Sequence, residues 1–214
     1  MTSYKMTARK NLADQVMKNL KKRNMESYYC ETKEEALKQA IALLPEGSSV
    51  SWGGSTSLEE IGFMDYIEEN SEHYTVNNRF AGQTNEEKRE LYAKGALSDV
   101  YFMSSNAITK DGILVNMDGT GNRVASLCHG PNKVVLVIGM NKVSANIEEA
   151  IDRIHMVAGP TNVIRQKVDT PCKTTGSCAN CLSKECICCQ LVITRFNRTD
   201  GRIHVILVGE DLGF

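Results

Sequence analysis

Hydrophobic positions along the chain switch repeatedly between a helical and a strand period. Met6, Leu12, Val16 and Leu20, set among Lys, Arg and Asn, fit an amphipathic helix over residues 4–23 that covers one side of a domain. Met25 to Cys30 reads as a short strand or a connector. Thr32 and Glu35 form a capping-box pair ahead of a helix from Ala36 to Leu44, which Pro45-Glu46-Gly47 ends. Ser49 to Trp52 is a strand running into Gly53-Gly54-Ser55-Thr56-Ser57, and Leu58 to Ile61 begins the next helix. A strand is expected over Glu72 to Asn77, followed by a helix capped by Thr84 and Glu87 and terminated by Gly95.

The stretch from Asp99 to Lys142 is the densest in turn signals. Val100 to Met103 reads as a strand, Lys110-Asp111-Gly112 as a tight turn, and Ile113 to Asn116 as the strand that follows. Asp118-Gly119-Thr120-Gly121-Asn122-Arg123 is a second turn, poised at the start of a short helix, and Val134 to Ile138 is another strand. Ser144 or Asn146 caps a helix through about Val157, with Ala158-Gly159-Pro160 as its end. Residues 161–171 lack periodicity and link into a cysteine-rich segment. Gln190 to Phe196 and Arg202 to Val208, separated by a turn ending in Asp200-Gly201, read as a β-hairpin that rejoins the main sheet or its edge. Strands separated by helices require crossover connections, so the expected fold is α/β, a largely parallel sheet flanked by helices. A single domain over 1–214 is expected, with an N-terminal helix in 1–24 and a Cys-rich loop at 172–189.

In such sheets ligands bind beyond the carboxyl ends of the strands. Trp52-Gly53-Gly54 and Met103-Ser104-Ser105-Asn106 are both strand ends and are expected on one rim. A strand, a glycine pair and hydroxyl residues at a helix start is an arrangement that cradles phosphate or carboxylate. The ligand-binding candidates are therefore Gly53, Gly54, Ser55 and Thr56 on one side, and Asn106, Asn116, Gly119, Gly121, Asn122 and Arg123 on the other. The plainer alternative is that these glycines only make turns, with Ser57 and Glu60 as an ordinary capping box. Neither a nucleotide P-loop lysine nor a dinucleotide glycine spacing is present, so neither ATP nor NAD is suggested. Lys142, just past a strand end, joins the candidates, with a solvated surface lysine as the alternative. Asp118 and Asp99 are candidate general bases for enolisation of a sugar phosphate or hydroxy acid, with turn-forming Asp as the alternative.

Length and charge narrow the partners. The chain has 214 residues and a formal net charge of −1, without a basic block, which argues against nucleic acid as the main partner. No run approaches a bilayer span, and the first ten residues lack an apolar signal core, so a cytoplasmic protein is expected. Six of the eight cysteines fall between Cys172 and Cys189. In a reducing compartment such crowding argues for metal or redox chemistry; thiolates at this spacing suit a tetrahedral zinc site or an iron–sulfur cluster.

Residues 104–125, with Ser-Ser-Asn-Ala-Ile-Thr-Lys-Asp-Gly and Asn-Met-Asp-Gly-Thr-Gly-Asn-Arg, together with Gly-Pro-Asn-Lys-Val at 130–134, resemble the LUD (lactate utilisation) domain family. The ending from Arg202 to Phe214 resembles the same family. The resemblance spans nearly the whole chain and implies kinship with the ribose-phosphate isomerase, glucosamine-phosphate deaminase and coenzyme A transferase fold group. It implies a component of 2-hydroxy-acid oxidation, such as L-lactate to pyruvate. The family's Cys-x5-Cys-x2-Cys-x6-Cys pattern selects Cys172, Cys178, Cys181 and Cys188, and leaves Cys186 or Cys189 as other possible ligands. It places a [4Fe–4S] cluster ahead of zinc. No flavin or nicotinamide motif is present, so redox partner subunits are implied. The competing reading is an isomerase- or transferase-like enzyme, or a sensor, that holds a small anionic metabolite and uses zinc structurally.

Overall fold

A computed structural model describes residues 3–214; Met1 and Thr2, the head of the expected N-terminal segment, lie outside the described residues. In chain order the elements are α1 (Ser3–Lys22), β1 (Glu26–Cys30), α2 (Lys33–Ala42), β2 (Ser49–Trp52), α3 (Thr56–Glu60), α4 (Phe63–Glu69), β3 (Thr75–Val76) and α5 (Asn85–Ala96). Then come β4 (Val100–Met103), β5 (Ala107–Thr109), β6 (Leu114–Asp118), α6 (Asn122–Cys128), β7 (Lys133–Gly139), β8 (Val143–Ser144) and α7 (Ile147–Arg153). α8 (Gly159–Gln166), α9 (Cys172–Thr175), β9 (Gln190–Thr194) and β10 (Ile203–Val208) complete the chain.

The main sheet has six strands in the order β1-β10-β7-β4-β2-β3, every neighbouring pair parallel. All six carboxyl ends therefore reach the same edge. The central strands are continuous apolar runs, buried along nearly their whole length, as a sheet covered on both faces requires. Val135, Val137, Ile206 and Val208 point to one face and pack with Phe63 and Phe102 beneath α2 and α4. Leu136, Ile138, Val205 and Leu207 point to the other and pack with Leu20 of α1 and with Ile108 and Leu114.

Those last two residues belong to a second, mixed sheet of order β8-β5-β6-β9. β5 and β6 form an antiparallel hairpin on the Lys110-Asp111-Gly112 turn. Gly112 has φ +78°, and a Cβ there would lie 2.9 Å from the Leu20 amide nitrogen, so glycine serves both the turn and the approach of α1. The far face of this sheet, Ala107 and Val115, packs on Ala150 and Ile154.

Several expected elements take a different form. β9 and β10 are not a hairpin: β9 pairs antiparallel with β6 in the second sheet, whereas β10 lies between β1 and β7 in the first. β10 is buried on both faces and suits a sheet centre, while β9 is largely exposed and suits an edge. The cap of α3 is Ser55, whose hydroxyl accepts from the Leu58 N–H, rather than Ser57. Gly95 does not end α5 but lies within it, where a Cβ would sit 2.8 Å from Ser51 Oγ. The strand expected over Glu72 to Asn77 is a 3₁₀ turn followed by the two residues of β3. Pro160 does not stop the helix before it; a π-helical turn at Ile154–Ala158 leads directly into α8, and proline is tolerated in a first helical turn. Among the described residues no helix is long and apolar enough to cross a membrane.

Candidate functional site

Four segments leave the carboxyl edge of the main sheet side by side: Gly53–Ser57 after β2, Ser104–Asn106 after β4, Met140–Lys142 after β7, and Gly209–Phe214 after β10. With the turn between β6 and α6, and with α8, they enclose a cleft of about 410 Å³. The two glycine turns meet there, since Gly54, Ser55, Thr56, Asn106, Asp118, Gly119, Asn122, Arg123 and Lys142 all line it. Gly53, Asn116 and Gly121 stand behind this lining. Gly53 gives room to the Arg123 side chain, whose Cδ would be 3.1 Å from a Cβ. Asn116 is buried and accepts from Arg123, and Gly121 caps α6 with φ +86°. The helices opening onto the cleft are short, five residues for α3 and seven for α6, so its positive charge comes from side chains rather than helix dipoles.

Lys142 is the side chain whose state differs most from expectation. It is not a solvated surface lysine: it is 3 % exposed, on the cleft floor, and its Nζ donates to Ser57 Oγ at 2.9 Å and Ser104 Oγ at 3.1 Å. No carboxylate lies within ion-pair distance of it among the described residues. Burial, with Arg153 and Arg123 adding to it, lowers its pKa to about 7, and Glu60 opposes only in part. Glu60 is itself occupied, accepting from the Gly213 N–H and pairing with Lys33. Gly213, at φ +53°, lies over the amine, where a Cβ would meet Ser57 Oγ at 2.9 Å and Lys142 Nζ at 3.4 Å.

Two arginines on the cleft wall escaped the sequence reading because only the fold brings them there. Arg79 is held by Trp52 O, by Tyr92 OH, and by the Phe80 ring 4.2 Å below its guanidinium carbon. With its amide oriented to satisfy both neighbours, Asn122 accepts from Arg79 Nη1 at 3.0 Å. Arg79 Nη2 has no partner among the described residues. Arg165 of α8 uses only Nε, toward Asn162. These unused N–H groups face a space bordered by Gly54, where a Cβ would come within 3.3 Å of Arg79 and 3.8 Å of Arg165. A planar fork of this kind suits a carboxylate or phosphate.

Arg123, by contrast, has nothing left to offer a ligand. Its five N–H groups reach Ser104 O, Asn116 Oδ1, Asn106 Oδ1, Met117 O and, at 3.3 Å, Asp118 Oδ2. Burial lowers its pKa from the usual arginine value, with Asp118 pulling the other way. It is a strut joining the end of β4 to the β6–α6 turn. Asp118 is tied down in turn, since its other oxygen accepts the Gly121 N–H at 2.9 Å. That engagement argues against Asp118 as a general base. Asp99 is excluded from the cleft altogether. It lies at the amino end of β4, where it accepts from Ser49 N and Oγ and from Asn132, and those bonds lower its pKa. Thr56 Oγ1 and Asn116 Nδ2 are buried with no protein partner, a state that costs about 1–3 kcal/mol each unless water or a ligand meets them.

The six clustered cysteines are free thiols: Cys172 is buried, Cys189 exposed, and Cys178, Cys181, Cys186 and Cys188 half-buried. Backbone N–H groups two residues on point at two of the sulfurs, Asn180 to Cys178 and Cys188 to Cys186, each at 3.4 Å. Burial pushes the Cys188 thiol up to about 12, helped by Cys186, Cys178, Cys172 and Cys189 around it. The donor chemistry suits a soft metal, and N–H···S bonds are the support a ligating thiolate receives. No three of the His, Cys, Asp or Glu side chains among the described residues converge as ligands of one ion. The loop is anchored to the π-helical turn, Cys178 N donating to His155 O at 2.9 Å, and it adds Ile187 to the cleft wall against Gly119.

Fold and cleft together define an α/β protein of the open parallel-sheet class, with a cationic pocket at the carboxyl ends of its strands. The family model described as the LUD domain matches residues 13–208, and the chain belongs to that family. Among solved structures it is similar to a DUF162 family protein from Deinococcus radiodurans, with 9% identity and a TM-score of 0.54 over 94% of this chain and 98% of that one. At that identity the likeness is one of fold. No curated protein matches.

Proposed function

We propose that this LUD-domain protein works in the utilisation of a small 2-hydroxy acid such as L-lactate, holding the hydroxy acid or its 2-oxo product in the cleft. The observation that carries this reading is Lys142, a buried amine without a carboxylate partner among the described residues, set between two serine hydroxyls in a cleft whose lining also carries Arg79 and Arg165. Arg79, Arg165 and Lys142 line the cleft with no acid beside them but Asp118, itself paired with Arg123, which favours a small anion. A small carboxylate would meet the arginine N–H groups, with its C2 oxygen toward Lys142 and Ser104.

The cysteine loop supplies the redox side of the proposal. Cys172, Cys178, Cys181 and Cys188 would hold a [4Fe–4S] cluster, with Cys186 or Cys189 as a substitute ligand, and such a cluster would pass single electrons to partner subunits. The isomerase-like reading with structural zinc loses ground because Asp118, its candidate base, is committed to Arg123 and Gly121.

Two measurements test the proposal. Calorimetry should detect binding of L-lactate or pyruvate, and Gly54→Val, which crowds Arg79 and Arg165, should abolish it without unfolding the protein. Unchanged binding in the variant would remove this cleft as the site. Iron and acid-labile sulfide should co-purify under anaerobic conditions; stoichiometric zinc without sulfide would return the isomerase-like reading.

A further inference from the structure

Resting on the cleft reading above, we infer that Lys142 captures a 2-oxo acid covalently, as an imine, and does not react with the corresponding hydroxy acid. The amine is placed for this. It lies on the cleft floor, 3 % exposed, and is fixed by Ser57 Oγ and Ser104 Oγ rather than by a carboxylate that would hold it protonated. The charged groups that face it are Arg123 and Arg153, with Glu60 the opposing acid. A lysine that is desolvated next to other cations is a nucleophile near neutral pH, because its uncharged form carries the lone pair. Its pKa of about 7 agrees with that placement.

The step balances without an oxidant or reductant. The Nζ lone pair attacks C2 of the 2-oxo acid, a C–N bond forms, and the carbonyl π electrons move to oxygen. A proton moves from nitrogen to that oxygen, giving a carbinolamine. Loss of the hydroxyl as water, with the second nitrogen proton, leaves the C=N bond. Ser57 and Ser104 each both donate and accept, so they can relay those protons at the amine itself. Arg79 and Arg165, in the lining of the same cleft, give the carboxylate a cationic surrounding. A 2-hydroxy acid has no electrophilic carbon at C2 and would bind without condensing. The cleft would thereby distinguish the two oxidation states of one carbon skeleton by bond formation rather than by shape.

The test is reductive trapping on the full-length protein. Incubation with pyruvate and sodium cyanoborohydride should add one reduced pyruvate per chain by intact mass, mapped to the peptide that contains Lys142. Trapping should be absent with L-lactate, slowed when L-lactate competes, and faster as pH rises through about 7. Lys142→Arg should abolish the adduct, and peptide mapping of the wild type keeps the assay decisive if that variant folds poorly. Calorimetric binding of pyruvate with no adduct, or with an adduct spread over surface lysines, would overturn the imine and leave the cleft reading intact. Absence of both binding and adduct would overturn both.

Discussion

Lys142 makes a quantitative prediction about folding as well as chemistry. Its ordinary pKa of 10.5 falls to about 7 in the folded chain, through burial first and the neighbouring Arg153 and Arg123 second. At about 1.4 kcal/mol per pH unit, that difference corresponds to roughly 5 kcal/mol of cost for keeping the amine charged in the fold. The sign follows from proton counting. Below pH 7 both states hold the proton and the full cost is present. Between about 7 and 10.5 the unfolded chain binds more protons than the folded one, so stability rises with pH. Lys142→Met removes this dependence and replaces it with a pH-independent loss of about 1–3 kcal/mol for the two serine hydroxyls left without their donor. The variant should therefore match or exceed the wild type near pH 6, then fall behind it by about 2–3 kcal/mol more between pH 7 and 9. Urea denaturation of both proteins across that range measures the difference. A constant gap would mean that the amine is hydrated in solution, and the argument from its burial would fail.

Arg123→Ala should destabilise the fold by about 3–5 kcal/mol, because it strips four hydrogen bonds and the ion pair to the half-buried Asp118; Arg123→Lys should recover little, since an ammonium cannot span the same acceptors. Urea midpoints decide both. Gly95→Ala should cost about 1–3 kcal/mol despite alanine's better helix propensity, because the new methyl meets Ser51 Oγ, itself fixed by Asn77 O at 2.9 Å. Ser51→Ala should relieve that cost in a double-mutant cycle, and strict additivity would refute the clash. Pyruvate affinity should differ before and after reconstitution with iron and sulfide, and equal affinities would separate the cysteine loop from the cleft.

The parts of this site that were legible in the sequence are those made of local geometry. Gly53-Gly54 after a strand and Asp118-Gly119 before a helix identify themselves through turn chemistry, and the parallel topology then brings them to one edge. Arg79 and Arg165 carried no such signal: one sits between β3 and α5, the other in a segment without clear periodicity. Their convergence is a product of tertiary packing. Lys142 was visible as a strand-end lysine, but its burial depends on Gly213 from the far end of the chain, which no local pattern reveals. Gly95 misled for a related reason. In a helical pattern a glycine reads as a terminator, yet here it answers to the closeness of β2. The separation of β9 from β10 has a signal in the sequence, since Val205-Ile206-Leu207-Val208 is an unalternating apolar run of the kind a central parallel strand carries.

The second sheet joins the cleft to the cysteine loop. β6 ends at Asp118 in the cleft, and β9 pairs with it in register from Thr194 opposite Leu114 to Gln190 opposite Asp118. The last bond of that ladder is carried past the strand, Cys189 N donating to Asp118 O at 3.0 Å, and the Gln190 amide, suitably oriented, donates to Asp118 O and Gly119 O. Gly119 packs tightly on the loop backbone, where a Cβ would lie 3.1 Å from Ile187 Cα, between Cys186 and Cys188. One backbone seam thus has thiols on one side and the cleft on the other. Drawing Cys188 toward a metal would move its neighbour Ile187, which lines the cleft, and a ligand pressing on Ile187 would resist or assist that movement. With a metal on the loop and a ligand in the cleft, affinity at each place would depend on occupancy of the other by the same factor, since linkage between two binding equilibria is reciprocal.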